Sequence, residues 1–196
     1  MIRHAHIIHG YQSAPERHWF PWLAEKLAGQ GIVCTRIALP DAGRPDFGRW
    51  QQSLAEHIGQ ADEHHLLIAH SLGCITTAHM NPEAAARVRG ALLVAPADPE
   101  RRAVLSDFAP VPYAALPYRS ILVASSNDPY CPIRLAGAYA RAWGSEFVRL
   151  QNAGHINVDS GHGEWPLGRA LLQSLTEVEP PLQATPAEEL AQGAMT

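Results

Sequence analysis

A chain of 196 residues is long enough to form one domain around a single hydrophobic core. The composition is 46% hydrophobic and 17% charged, which is typical of a globular protein and excludes a wholly disordered chain or a coiled coil. The formal net charge is −4 and no run of Lys or Arg occurs, so we expect neither nucleic acid nor a membrane as a partner.

Short apolar runs alternate with longer amphipathic stretches along most of the chain. The central runs are continuously apolar, which favours parallel strands buried on both faces. Strands are predicted over residues 4–9, 32–38, 65–69, 91–95, 121–125 and 146–150. Helices are predicted over residues 19–28, around Trp50, Leu54 and Ile58, and over residues 133–143 and 166–176. This alternation predicts an α/β protein with a doubly wound, mostly parallel sheet of about six strands, flanked by helices.

The predicted domain covers residues 1–176. The remaining residues, 177–196, include Pro180, Pro181 and Pro186 and few large apolar side chains, so we expect a loosely ordered C-terminal tail. The interval between the fourth and fifth strands, residues 96–120, is too short for an inserted lid domain. We therefore expect a shallow, open site.

The cysteines and the N-terminus bear on the cellular compartment. Three cysteines, Cys34, Cys74 and Cys131, form no C-x-x-C pair, which fits a reducing environment better than a disulfide framework. The first apolar run is too short for a signal peptide, and no later run reaches the ~18 apolar residues of a membrane span. We expect a cytoplasmic protein of unassigned oligomeric state.

A serine stands where the third strand passes into a helix. In open parallel sheets, functional residues follow the carboxyl ends of the strands. The run Ala69-His70-Ser71-Leu72-Gly73 has the strand–turn–helix context of a nucleophile elbow, which exposes the Ser71 hydroxyl. Ala69 replaces the first glycine of the usual G-x-S-x-G pattern.

Partners for this serine follow later strands. A serine hydroxyl is a weak nucleophile until a base accepts its proton, and the base needs an orienting carboxylate. Asp128 follows the fifth predicted strand and His155 follows the sixth, which is the chain order Ser, acid, His of α/β-hydrolases. Asp98, after the fourth strand, is the alternative acid.

An acyl-transfer site also needs donors for the oxyanion. We expect the backbone N–H of Leu72 as one donor and that of Tyr11 as the second, with Gly10 or Gln12 as alternatives. Residues expected to line a pocket are Gly10, His70, Tyr130 and Trp165, with His70 packing beside the site rather than reacting. Arg101 and Arg102 are interpreted as solvated surface charges rather than as a carboxylate site.

Together these motifs resemble the small α/β-hydrolases of the retinoblastoma-binding-protein-9 type. The resemblance covers nearly all of residues 3–176. It rests on His9-Gly10-Tyr11 with Trp19 and Trp22, His70-Ser71-Leu72-Gly73, Ser126-Asn127-Asp128-Pro129-Tyr130 and Gly154-His155-Ile156-Asn157. It implies a single-domain serine hydrolase with a Ser-His-Asp triad and a minimal form of the fold.

The resulting prediction is a serine hydrolase that cleaves a small ester, amide or peptide-type acyl bond through an acyl-enzyme. Its partner is then a small-molecule or peptide acyl substrate. The chain has eleven histidines but no H-E-x-x-H or comparable ligand spacing, so we expect no metal and no cofactor. The alternatives are a non-catalytic binding protein on the same fold and an acyltransferase that uses the same triad.

Overall fold

The computed structural model describes residues 2–59 and 64–176, and the predicted tail, residues 177–196, lies outside the described residues. The strands are β1 (His4–Ile8), β2 (Val33–Arg36), β3 (His65–His70), β4 (Val88–Val94), β5 (Arg119–Ser125) and β6 (Glu146–Leu150). The α-helices are α1 (Trp19–Ala28), α2 (Phe47–Gly59), α3 (Leu72–Ala78), α4 (Pro82–Ala85), α5 (Ile133–Trp143) and α6 (Pro166–Thr176).

The six strands form one sheet in the order β2-β1-β3-β4-β5-β6, and each described pairing is parallel. One face of the sheet packs on α2, α3 and α5, with Trp50, Leu54 and Trp143 fully buried there. The opposite face packs on α1 and α6 through Trp19 and Leu172. The doubly wound sheet predicted from the alternation of apolar runs is therefore confirmed. Because the strands are parallel, their carboxyl ends all lie at one edge of the sheet.

The bounds of several elements differ from the prediction. Strand β2 is shorter than the predicted residues 32–38, because it is an edge strand that pairs only with β1 and is mostly exposed. Strand β4 begins earlier, at Val88, where an irregular pairing with β3 adds residues that lack an apolar run. Helix α4 was not predicted; the Asn81 side chain begins it by accepting a hydrogen bond from the N–H of Ala84.

The connection between β4 and β5 forms no lid. It contains two 3-10 helices, Pro99–Arg101 and Ala103–Phe108, and its buried side chains Leu105 and Phe108 hold it against the core. None of the helices within residues 2–59 and 64–176 has the length and apolar character needed to cross a bilayer.

Two buried histidines lie side by side on the neighbouring strands β1 and β3. Nε2 of His6 on β1 and Nδ1 of His65 on β3 are 2.9 Å apart. Burial, and then the proximity of His65, lowers the pKa of His6 from 6.5 to about 4. The folded protein therefore holds His6 neutral over a pH range in which the unfolded chain binds a proton there.

This difference predicts acid sensitivity of the fold. Because the folded pKa is lowered, the stabilisation is complete above pH 6.5 and is lost as the pH falls towards about 4. We expect His6 to contribute about 1–3 kcal/mol to this loss of unfolding free energy. Urea titrations of wild type and His6→Gln at several pH values measure the effect. The exposed His64→Gln is the control, and an equal acid dependence in wild type and His6→Gln would contradict the prediction.

Candidate active site

The loops that follow several strands enclose a cavity of about 540 Å³ at the carboxyl edge of the sheet. This volume is within the range of ligand sites in proteins. Its lining includes Gly10, Tyr11, His18, His70, Ser71, Asp98, Arg102, Tyr130 and His155. The structure thus brings most of the residues singled out in the sequence to one place.

Ser71 is the single residue between β3 and α3. Its backbone has φ 57° and ψ −123°, a conformation that a residue with a side chain adopts only under strain. The neighbouring chain holds it there: the N–H of Ser71 donates to the carbonyl of Val94 at 3.0 Å, and its own carbonyl accepts from the N–H of Cys74 at 3.0 Å. The elbow is therefore fixed by β4 as well as by its own helix.

Two glycines allow the elbow to lie against β1. A methyl group on Gly73 would collide with the carbonyl oxygen of Ile8, so only glycine lets α3 start so close to that strand. A methyl group on Gly10 would lie 2.7 Å from Cβ of Ser71 and 3.1 Å from its Oγ. The loop after β1 therefore passes directly beside the Ser71 hydroxyl.

His155 and Asp128 form a buried pair on the loops after β6 and β5. Nδ1 of His155 lies 2.8 Å from Oδ2 and 3.1 Å from Oδ1 of Asp128, and the side chains are 9% and 2% exposed. The amide oxygen of Asn127 accepts from the N–H of Gly154 at 2.8 Å, which ties the two loops together. The carboxylate is thus positioned to hold the imidazole with Nδ1 as the donor.

Asp98, the alternative acid, has different partners. Its Oδ1 accepts from the N–H of Glu100 at 3.2 Å, and its Oδ2 lies 3.9 Å from Nε of Arg101. It therefore begins the first 3-10 helix after β4. Within the described residues no hydrogen bond joins it to His155.

Ser71 and His155 both line the cavity. In the described part of the chain no hydrogen bond within 3.5 Å joins Oγ of Ser71 to the imidazole of His155. Such bonds are commonly long in the absence of substrate and tighten when it binds. The structure thus places the two groups in one cavity, but they are not hydrogen-bonded to each other.

The backbone N–H groups expected to hold an oxyanion belong to Leu72 and to the loop after β1. Leu72 is the first residue of α3, so its N–H has no carbonyl partner within the helix. The N–H of Tyr11 has no acceptor among the described residues, whereas that of Gln12 donates to the carbonyl of Ala42 at 2.8 Å. Gln12 is therefore removed as an alternative, and Tyr11 and Gly10 remain.

His70 packs beside this centre and bonds to it. Its Nε2 donates to the main-chain carbonyl of His155 at 2.8 Å, and the two rings are 4.7 Å apart. Burial lowers the pKa of His70 well below 6.5, with the nearby His155 adding to the shift. His18, which the sequence analysis did not single out, packs on His70 at 5.0 Å, and burial lowers its pKa to about 3. His70 and His18 are thus both uncharged at neutral pH.

Of the two aromatic residues expected in the pocket, one lies in the cavity and the other lies in the core. The Tyr130 ring lines the cavity and meets the His155 ring edge to face at 4.5 Å. The prediction for Trp165 is wrong: it is 5% exposed and packs in the core, 5.0 Å from the Trp19 ring. Gly168 leaves the space that the Trp165 ring fills, since a methyl group there would collide with it. The position of Trp165 on a loop did not reveal the direction of its side chain.

No signal in the sequence identifies His18 as a cavity residue, because it is a lone histidine directly before α1. Arg101 and Arg102 also line the cavity, although the sequence analysis assigned both to the surface. Within residues 2–59 and 64–176, no group of three or more His, Cys, Asp or Glu side chains could hold a metal ion.

Comparison with known proteins gives several relatives of similar length. YdeN, a candidate hydrolase of Bacillus subtilis (strain 168), is 24% identical over 183 residues, which cover 89% of this chain and 96% of YdeN. A YdeN-like candidate hydrolase from Pectobacterium atrosepticum superposes with a TM-score of 0.76 at 25% identity, covering 89% of this chain and 92% of its own.

A more distant structure is the carboxylesterase CesB from Bacillus subtilis. It superposes with a TM-score of 0.63 at 11% identity, covering 89% of this chain and 84% of its own, and therefore shows the fold alone. The fold is that of the α/β-hydrolases, in a small form with no lid evident. The family model described as "Serine hydrolase" matches residues 5–174. The chain belongs to this serine hydrolase family.

Proposed function

We propose that this protein hydrolyses small acyl esters through a covalent intermediate on Ser71, with His155 as the general base and Asp128 as its orienting acid. The observation that carries the proposal is the strained Ser71 elbow, which lines the same cavity as His155, the imidazole that is paired with the buried Asp128 side chain. A strained backbone persists only where the surrounding structure enforces it, and such positions cluster at active sites.

The proposed reaction begins with attack of Ser71 Oγ on the substrate carbonyl carbon while Nε2 of His155 takes the hydroxyl proton. Asp128 keeps the proton on Nδ1 and stabilises the imidazolium that forms. The N–H groups of Leu72 and Tyr11 would hold the negatively charged oxygen. His155 then protonates the leaving group, which departs and leaves an acyl-enzyme. A water molecule, activated by His155, releases the acid and restores Ser71.

The substrate class follows from the cavity. A volume of about 540 Å³ suits a small ligand, and the connection between β4 and β5 forms no lid to shelter a long acyl chain. The exposed side chains of Arg102 and Tyr130 mark its opening, through which water can reach an acyl-enzyme. CesB, a structural neighbour, is named as a carboxylesterase, which supports esters as the first substrates to test.

A series of p-nitrophenyl esters of increasing acyl length tests this proposal. We expect acetyl and butyryl esters to be hydrolysed with kcat/KM about tenfold or more above that of the dodecanoyl ester, because the longer chain finds no enclosed pocket. The Ser71→Ala protein gives the background rate. Preference for the dodecanoyl ester, or no hydrolysis of any ester by folded wild type, would overturn the proposal.

A further inference from the structure

Arg102 lies at the opening of the cavity between two tyrosine rings. Its guanidinium carbon is 4.7 Å from the centre of the Tyr130 ring and 5.8 Å from that of Tyr11. A guanidinium over an aromatic face is attracted by the electron density of the ring. The two rings therefore hold an otherwise flexible side chain in one place on the cavity wall.

Within residues 2–59 and 64–176, the charge of Arg102 has no partner. The adjacent Arg101 also lines the cavity, but its Nε lies 3.9 Å from Oδ2 of Asp98, so its charge has a carboxylate partner. Arg102, in contrast, makes no ion pair and no side-chain hydrogen bond with the residues that the structure describes. Asp159, which follows β6, also lines the cavity and forms no ion pair with Arg102. The planar array of N–H donors on Arg102 is thus available to a ligand, and its geometry matches a carboxylate or phosphate.

The position of this charge relates it to the proposed chemistry. The Tyr130 ring, over which the Arg102 guanidinium lies, also contacts the His155 ring, with the ring centres 4.5 Å apart. Tyr11 directly follows Gly10, which lies beside the Ser71 hydroxyl. Arg102 is therefore one aromatic ring away from the candidate base. A short substrate whose carbonyl carbon is at Ser71 could present a terminal group to it.

We infer that Arg102 binds an anionic group of the substrate, so that this site prefers small acyl compounds that carry a carboxylate or a comparable anion. The inference rests on the proposed hydrolase function and narrows its substrate class. The anion could belong to the acyl chain or to the leaving group, and the chemistry that Arg102 supplies is the same for both.

Matched pairs of esters test the inference and separate the two arrangements. In the acyl arm, p-nitrophenyl hemisuccinate is compared with p-nitrophenyl butyrate. In the leaving-group arm, the butyrate ester of 4-hydroxybenzoate is compared with phenyl butyrate. The quantity compared is kcat/KM for the anionic ester divided by kcat/KM for the neutral ester. We expect Arg102→Gln to lower this ratio about tenfold in one arm, mainly because KM for the anionic ester rises. Arg101→Gln, the matched control, should change that ratio less than about twofold.

A binding measurement tests the same site without turnover. We expect succinate to bind wild type in an NMR titration and its Kd to rise about tenfold in Arg102→Gln. An unchanged ratio in both arms, an equal fall in Arg101→Gln, or equal succinate binding by wild type and Arg102→Gln would overturn the inference. Failure of the hydrolase proposal looks different, because wild type would then hydrolyse neither the neutral nor the anionic esters.

Discussion

We expect the Asp128→Asn variant to lose about 10⁴-fold in kcat for a short-acyl ester, the size of the loss that the corresponding change causes in a serine protease. Asn keeps the shape of Asp128 but removes the charge that stabilises the imidazolium of His155. The Asn side chain also no longer fixes the proton on Nδ1 of His155. Since the Asp128 side chain is only 2% exposed, water cannot take over the role of the carboxylate. Steady-state kinetics, with the melting temperature as a check of folding, measure the effect.

Asp98→Asn is the matched control for this prediction. Asp98 accepts a hydrogen bond from the N–H of Glu100, and Asn begins a helix about as well as Asp does. We expect a loss of less than about tenfold for this variant. The opposite order of the two losses would assign the orienting acid to the loop after β4 instead of the loop after β5.

Two substitutions at Ser71 separate its chemistry from its backbone strain. Ser71→Ala and Ser71→Gly both remove the hydroxyl, so we expect each to lose about 10⁵-fold or more in kcat. Only glycine adopts φ 57° without a steric penalty. We therefore expect Ser71→Gly to unfold with a free energy about 1 kcal/mol above that of Ser71→Ala, measured by chemical denaturation. Equal stabilities would show that the elbow is not strained, and retained turnover in Ser71→Ala would exclude Ser71 as the nucleophile.

Much of the fold was predictable because the central strands are buried on both faces. The apolar runs at Leu66, Leu92 and Ile121 mark β3, β4 and β5 directly, since a parallel strand between two helical layers has no polar face. The edge strand β2 has no such constraint, so its predicted length was wrong. Helix α4 depends on one side-chain hydrogen bond from Asn81 and has no apolar periodicity to reveal it.

The candidate site was predictable to the extent that it follows strand ends. Ser71, Asp128 and His155 each lie just beyond a strand, and parallel strands bring those positions to one edge of the sheet. The direction of a loop side chain depends on tertiary packing, which is why Trp165 was misplaced. The placement of Arg102 between Tyr11 and Tyr130 likewise depends on three separate loops, and no sequence pattern encodes it.

The central claim is that Ser71 is the activated nucleophile of this protein. A fluorophosphonate probe tests it directly, because it forms a stable covalent bond only with a hydroxyl that a neighbouring base activates. We predict a single adduct on the folded wild-type chain, located at Ser71 by mass spectrometry of its peptides. We also predict no adduct on Ser71→Ala or on folded His155→Ala. An adduct at another residue, or labelling that persists in Ser71→Ala, would contradict the assignment.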